Sequence, residues 1–121
     1  MKVIKIKNRK IGDAFKPLII AEIGINHGGN VKKAFKMIDD AKKAGCECVK
    51  FQYHIPDKEM VKNNEIPGNS NRSIWDIINS IYLTDKEEHE IKKYVEKKNM
   101  IYLSTPFSKE AADRLYEMGV K

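Results

Sequence analysis

Leu18-Ile19-Ile20-Ala21-Glu22-Ile23-Gly24-Ile25 decides the fold. A nearly unbroken apolar run of this length reads as a strand buried on both faces, as parallel sheets require. Pro17 opens the run, and Asn26-His27-Gly28-Gly29-Asn30 closes it as a loop, because paired glycines break regular structure. Asn30 then caps a helix in which Val31, Ala34, Phe35, Ile38 and Ala41 recur at helical spacing. Gly45 ends that helix, and Cys46-Glu47-Cys48-Val49-Lys50-Phe51-Gln52 reads as a second strand. Strand, helix, strand is the unit that builds parallel sheets.

Towards the N-terminus, residues 3 to 12 alternate weakly, with Ile4, Ile6 and Ile11 against Lys5, Lys7 and Lys10, and Asn8-Arg9 is the expected turn of a hairpin. Towards the C-terminus, residues 53 to 73 are polar and irregular, with Pro56 and Pro67-Gly68-Asn69. A loop this long inside a compact domain is usually functional or disordered. Ile74, Ile77, Ile78 and Ile81 predict a short helix over 74–82. Thr84-Asp85-Lys86-Glu87 has the form of a capping box and should start a helix running to about Lys98. Met100 to Ser104 reads as a third strand, stopped by Pro106. Ser108 caps a third helix, with Ala111, Ala112, Leu115 and Met118 expected inward and Gly119 at its end. The order is a hairpin followed by three strand–helix units, with no repeat, low-complexity tract or linker. That is an α/β pattern, and it fits part of a (β/α)₈ barrel or a small doubly wound sheet.

The 121 residues suffice for one small domain. The net charge of +6 comes from 23 Lys and Arg interspersed with 17 Asp and Glu. Nucleic-acid binding calls for clustered cations interleaved with exposed aromatics, which this even spread does not supply. No stretch reaches the ~18 apolar residues of a membrane helix, and Met1-Lys2-Val3-Ile4-Lys5 is too charged for a signal peptide, so a cytoplasmic location is expected. Cys46 and Cys48 stand too close for an unstrained disulfide and lack further cysteines to complete a metal site; two reduced, buried thiols in a strand are expected.

Glu22 is the first anomaly, a carboxylate inside an apolar run, where ionisation costs several kcal/mol unless it is paired. The two-residue period places Ile20, Glu22, Gly24 and Asn26 on one face and Ala21, Ile23 and Ile25 on the other. The second strand repeats the theme: Val49 and Phe51 share one face, Lys50 and Gln52 the opposite one. Glu22 and Lys50 on neighbouring strands are placed to pair, either as a register-setting ion pair or as part of a site, since perturbed buried charges cluster at sites. A lysine there binds phosphate or carboxylate as a point charge, or serves as a Schiff-base nucleophile; spacing does not choose. His27 and His54 follow the two strands at the same end, where barrel enzymes carry their catalytic groups, whereas His89 falls on a helix and is expected to be solvated. Thr105 presents a hydroxyl at that end too, although a turn and helix entry explain Thr105-Pro106-Phe107 equally. Gly28-Gly29 offers backbone N–H groups to an anion, a weak signal without Rossmann or P-loop spacing.

Four segments in order, Ile20-Ala21-Glu22-Ile23-Gly24-Ile25-Asn26-His27-Gly28-Gly29, Val49-Lys50-Phe51-Gln52, Ile66-Pro67-Gly68-Asn69 and Leu103-Ser104-Thr105-Pro106-Phe107, carry a family likeness. Together they resemble the N-terminal region of the sialic acid synthase (NeuB-like) family, and the likeness runs from residue 3 to the end. The resemblance implies a (β/α)₈ barrel followed by an antifreeze-like domain, with residues 1–121 forming a single partial domain, the first three β/α units behind an N-terminal hairpin. It implies condensation of phosphoenolpyruvate with an N-acyl mannosamine-type sugar, with release of phosphate, and a homodimer for the full-length member. It implies a divalent metal, manganese or magnesium, whose histidine ligands lie on later strands, so that no residue here is assigned to it. By position, Lys50 resembles a ligand of phosphoenolpyruvate and Glu22 the carboxylate at the reacting centre. Gln52 and Asn69 resemble sugar contacts, and Thr105 a further contact to phosphoenolpyruvate. Which N-acyl sugar is used stays open. The competing expectation is a non-catalytic module that binds an anionic sugar or associates with a full-length synthase by completing its sheet.

Overall fold

A computed structural model of the chain describes residues 2–120; Met1, part of the segment read above as too charged for a signal peptide, and Lys121 lie outside the described residues. Two short strands, β1 (Ile4–Ile6) and β2 (Arg9–Ile11), pair antiparallel with Ile4 opposite Ile11. Their turn is Lys7-Asn8, one residue earlier than Asn8-Arg9, with Lys7 in the left-handed region at φ 51°. Three longer strands, β3 (Ile20–Gly24), β4 (Cys48–Tyr53) and β5 (Ile101–Pro106), form a second sheet in the order β3-β4-β5, parallel throughout.

Between these strands run α1 (Val31–Lys43), α2 (Pro56–Glu59), α3 (Ile74–Ile81) and α4 (Asp85–Lys97), and α5 (Lys109–Glu117) follows β5. The starts follow local chemistry. Asn30, Ser73, Thr84 and Ser108 each accept a backbone N–H from the first turn of the helix they precede. At Thr84 the reciprocal bond, its own N–H donating to Glu87 Oε2, completes the capping box. Gly45, beyond α1, adopts φ 87°, a conformation that glycine reaches without strain. The stretch read as irregular contains α2, a single turn that Pro56 opens at its first position, where the missing N–H is no loss.

The helices cover one face of the parallel sheet. Ile23, Val49, Phe51, Tyr53 and Tyr102 on that face pack with Ala34 and Ile38 of α1, Ile91 and Val95 of α4, and Ala111 and Leu115 of α5. Val49, Phe51 and Tyr53 have no exposed surface. The opposite face is open: Ile20 is 42% exposed, and Glu22 and Thr105 are exposed. Burial of β3 on both faces was therefore expected and is not found. Ala112, expected inward, is exposed, because it follows the buried Ala111 directly and is turned about 100° away from it around the helix, while Leu115 is buried and Met118 packs against the core. β5 runs two residues past Ser104 and ends at Pro106, its last residue, opposite Tyr53. Proline is tolerated there because it sits at the strand end and needs no further ladder N–H. Cys46 precedes β4 and is only half-buried, whereas Cys48 opens it fully buried; both are free. Burial pushes the Cys48 thiol up to about 11, so it is an inert packing group. No helix among the described residues is long and apolar enough to cross a membrane.

A polar layer lies inside the covered face. Tyr102 donates its hydroxyl to Glu88 Oε2 at 3.0 Å, and Tyr53 donates to Asp85 Oδ1 at 2.7 Å. Glu88 is 1% exposed, and this burial pushes its carboxyl up to about 7 against the Tyr102 hydrogen bond, which favours the anion. An acid whose pKa is raised on folding stabilises the fold below its unfolded value, near 4.5, and loses that contribution as pH rises through about 7. Glu88→Gln should therefore gain stability relative to the parent by about 3 kcal/mol between pH 4 and pH 8. Urea denaturation at both values checks this, and a pH-independent difference between the two proteins would contradict the buried-acid assignment.

Candidate active site

Alternation along β4 sorts its side chains. Burying Val49, Phe51 and Tyr53 under the helices sends Lys50 and Gln52 to the open face. The ladder then sets their neighbours: Glu22 stands opposite Lys50 on one side and Leu103 on the other, and Thr105 stands opposite Gln52. Lys50 Nζ lies 2.8 Å from Glu22 Oε2, with the two side chains 38% and 50% exposed. Glu22, Lys50, Gln52 and Thr105 thus share one face, towards the C-terminal ends of the parallel strands, while Asn69 does not join them. It sits exposed in the turn closed by the Ser70 N–H to Pro67 carbonyl bond, and among the described residues no hydrogen bond ties it to the sheet.

β3 does not keep a simple two-residue period to its end. Glu22 pairs with Lys50 and Gly24 with Phe51, so β3 carries one extra residue there, a bulge. Gly24 accommodates it at φ 56°. A Cβ built on Gly24 would stand 3.6 Å from Gln52 Nε2 and 3.7 Å from Glu22 Oε1, so both polar side chains reach across this glycine. Asn26, expected on the Glu22 face, lies beyond the strand, where its amide turns back to the Ile23 carbonyl at 3.0 Å.

The histidines divide. His27 is not displayed at the strand ends; it is 2% exposed and lies against Phe51, with ring centroids 6.0 Å apart. Its Nδ1 accepts the Gly29 N–H at 3.0 Å, while Gly28 N–H goes to the Ile25 carbonyl. Both glycine amides proposed for an anion are therefore already used within the turn. Burial, with Lys33 and His54 nearby, holds His27 below its ordinary pKa and hence neutral. His89 is exposed, as expected, with Nδ1 bonded to the Asp85 carbonyl. His54 is 3% exposed, and both its ring nitrogens are engaged: Nδ1 faces Glu59 Oε1 at 2.8 Å, and Nε2 faces Gln52 Oε1 at 3.0 Å. Sequence reasoning placed His54 at the strand ends but missed Glu59. The available signal was Pro56, which opens one helical turn and so brings residue 59 back beside residue 55.

Among the described residues no group of three or more His, Cys, Asp and Glu side chains stands together in a way that could hold a metal ion. Glu22, the acid at the polar row, is already paired with Lys50. The residues present do not fit a metal centre by themselves. What the row can do is hold an oxyanion, with Lys50 as a point charge, Gln52 and Thr105 as neutral donors, and Glu22 as a base or orienting acceptor.

The fold as a whole is similar to that of a solved sialic acid synthetase. The structure of an N-acetylneuraminic acid (sialic acid) synthetase from Leptospira borgpetersenii, in complex with citrate, superposes with a TM-score of 0.82 at 31% identity, covering 98% of this chain and 39% of that one. Among curated relatives, N,N'-diacetyllegionaminic acid synthase of Campylobacter jejuni is 35% identical over 112 residues, covering 88% of this chain and 34% of that protein. Spore coat polysaccharide biosynthesis protein SpsE of Bacillus subtilis is 32% identical over 118 residues, covering 95% of this chain and 32% of that protein. The sequence matches the NeuB family over residues 37–121, and the chain belongs to that family. It spans about a third of the length of the curated relatives it matches.

Half-exposed ion pairs contribute at most about 1 kcal/mol to stability, so the Lys50–Glu22 pair is not what holds β3 to β4. Lys50→Met should shift the urea midpoint by an amount equivalent to less than about 1 kcal/mol. A loss of several kcal/mol would instead make the pair a structural, register-setting contact.

Proposed function

We propose that this chain supplies the phosphoenolpyruvate-facing part of the active site of a sialic acid synthase-type enzyme. In this reading its three strand–helix units are the first three of a (β/α)₈ barrel behind an N-terminal hairpin, and residues 1–121 are one partial domain of it. The reaction is condensation of phosphoenolpyruvate with an open-chain N-acyl mannosamine-type sugar. C3 of phosphoenolpyruvate bonds to the sugar's aldehyde carbon, water adds at C2, and the C2–O bond breaks to release phosphate. The observation that carries the reading is the Lys50–Glu22 contact of 2.8 Å on the open sheet face, with Gln52 and Thr105 beside it. Membership of the NeuB family supports it.

Each residue has a role that suits its chemistry. Lys50 meets the phosphate or carboxylate of phosphoenolpyruvate as a compact cation. Glu22 holds the ammonium in place before the substrate arrives, and its carboxylate then orients or deprotonates a group at the reacting carbons. Thr105 adds a hydroxyl donor to phosphoenolpyruvate. Gln52 contacts the sugar, and Asn69 does so when its turn folds over the row. The proposed divalent metal, manganese or magnesium, would polarise the sugar aldehyde when bound. Its ligands are assigned to no residue of this chain, and none of the roles above runs through it. The enzyme in this reading is a cytoplasmic homodimer.

Titration of the purified chain with phosphoenolpyruvate, followed by NMR, tests the reading. Signals of Lys50 and Thr105 should move, and Lys50→Ala should weaken binding at least about tenfold, as loss of a charge-assisted contact requires. Phosphoenolpyruvate that leaves the row unperturbed would sink the assignment.

A further inference from the structure

Behind the open face, two side chains that the proposed reaction does not use, Glu59 and His54, lead to Gln52. The carboxylate of Glu59, at the end of α2, is 3% exposed and lies 2.8 and 3.0 Å from His54 Nδ1 through its two oxygens. The Ile55 N–H also donates to Glu59 Oε2 at 3.1 Å, which fixes the carboxylate against its own helical turn. The His54 ring is stacked on Phe107, with centroids 4.3 Å apart and planes inclined by 25°. On its far side, Nε2 stands 3.0 Å from Gln52 Oε1. Both ring nitrogens thus face oxygen. Only an imidazolium donates from both, and a carboxylate as buried as Glu59 is tolerated only when a cation or several donors compensate it.

We propose that Glu59 and His54 are positioning residues that clamp the Gln52 amide, oxygen inward and NH₂ outward, so that Gln52 presents a donor to a ligand oxygen on the open face. The outward nitrogen is the atom nearest to a Cβ built on Gly24, at 3.6 Å, which puts it over the glycine at the bulge and towards Glu22. A neutral His54 bonded to Glu59 through Nδ1–H would leave a lone pair on Nε2. That lone pair would attract the amide NH₂ and turn the oxygen outward, so the row would repel the oxygens it now attracts. The dyad therefore sets the polarity of Gln52, a side chain with no charge of its own. With Lys50 and Thr105 on the same face, the donors converge on an oxygen-rich ligand, a sugar hydroxyl or acyl carbonyl next to an anion. The choice of a sugar as that ligand rests on the function proposed above; the clamp itself does not.

Long-range proton–nitrogen NMR of the ¹⁵N-labelled, ligand-free chain tests the clamp. Both His54 ring nitrogens should carry protons, and the isosteric Glu59→Gln should leave one protonated while shifting the Gln52 side-chain NH₂ signals. A singly protonated ring in the parent would overturn the proposal without recourse to any variant. In a second arm, N-acetylmannosamine is titrated into both proteins in the presence of phosphoenolpyruvate. The Gln52 NH₂ signals should respond in the parent, and Glu59→Gln should bind about tenfold more weakly, the loss of one oriented hydrogen bond. Equal binding by a Glu59→Gln variant that keeps the parent's dispersed amide spectrum would overturn the positioning role. No response to the sugar in the parent, with both His54 nitrogens protonated, would instead count against the sugar-synthase reading and leave the clamp standing.

Discussion

Val49, Phe51 and Tyr53 have no exposed surface, and this burial of one side of β4 governs the rest of the structure. Side chains alternate along a strand, so three positions pressed under α1, α4 and α5 oblige Lys50 and Gln52 to face the other way. β4 is the central strand, and its two ladders carry that choice outward to Glu22 on β3 and Thr105 on β5. A one-residue slip of β4 would bury the lysine and expose the phenylalanine, with a loss of several kcal/mol of apolar burial and an unpaired buried charge. The polar row is therefore positioned by the core and not by its own contacts, which are too exposed to hold it.

The two ends of the sheet are built differently. At the N-terminal ends of the strands the hairpin is tied down by ion pairs, Arg9 Nε to Glu47 Oε2 at 2.7 Å and Lys7 Nζ to Glu96 Oε1 at 2.7 Å. Arg9 also reaches the carbonyls of Lys16 and Pro17, so one guanidinium joins the hairpin, the entry to β3 and the entry to β4. A cleft of about 530 Å³ lies at this end, lined by hairpin residues and by Lys42, Glu47 and Glu96. It shares no residue with the polar row. At the C-terminal ends, buried histidines fasten the loops: His27 fills space against Phe51, and His54 links α2 to Gln52. The polar layer between Glu88, Tyr102, Tyr53 and Asp85 adds a third device, fastening α4 to the covered face through tyrosine hydroxyls.

Much of this was legible from residue order. The three parallel strands, the caps at Asn30, Thr84 and Ser108, and the Glu22–Lys50 pairing follow from apolar periodicity, short polar side chains at helix starts and two misplaced charges. Other features were not. The bulge at Gly24 is invisible in a pattern of period two, so Asn26 was carried one step too far along the strand. α2 is a single turn, too short to leave a periodic signal, and Ala112 reads like Ala111 until a neighbouring strand chooses between them.

The sequence by itself determined the three parallel strands, the helices α1, α3, α4 and α5, and which face of β4 is apolar, because those depend on nearest neighbours and on the alternation of side chains along the chain. The tertiary structure alone decided that β3 is covered on one face only, that Asn69 stands apart from the polar row, and that Glu59 lies behind His54 and His54 behind Gln52. Those relations depend on distances between segments, set by how helices pack on the sheet and how a single turn folds back under it, and no local spacing encodes them.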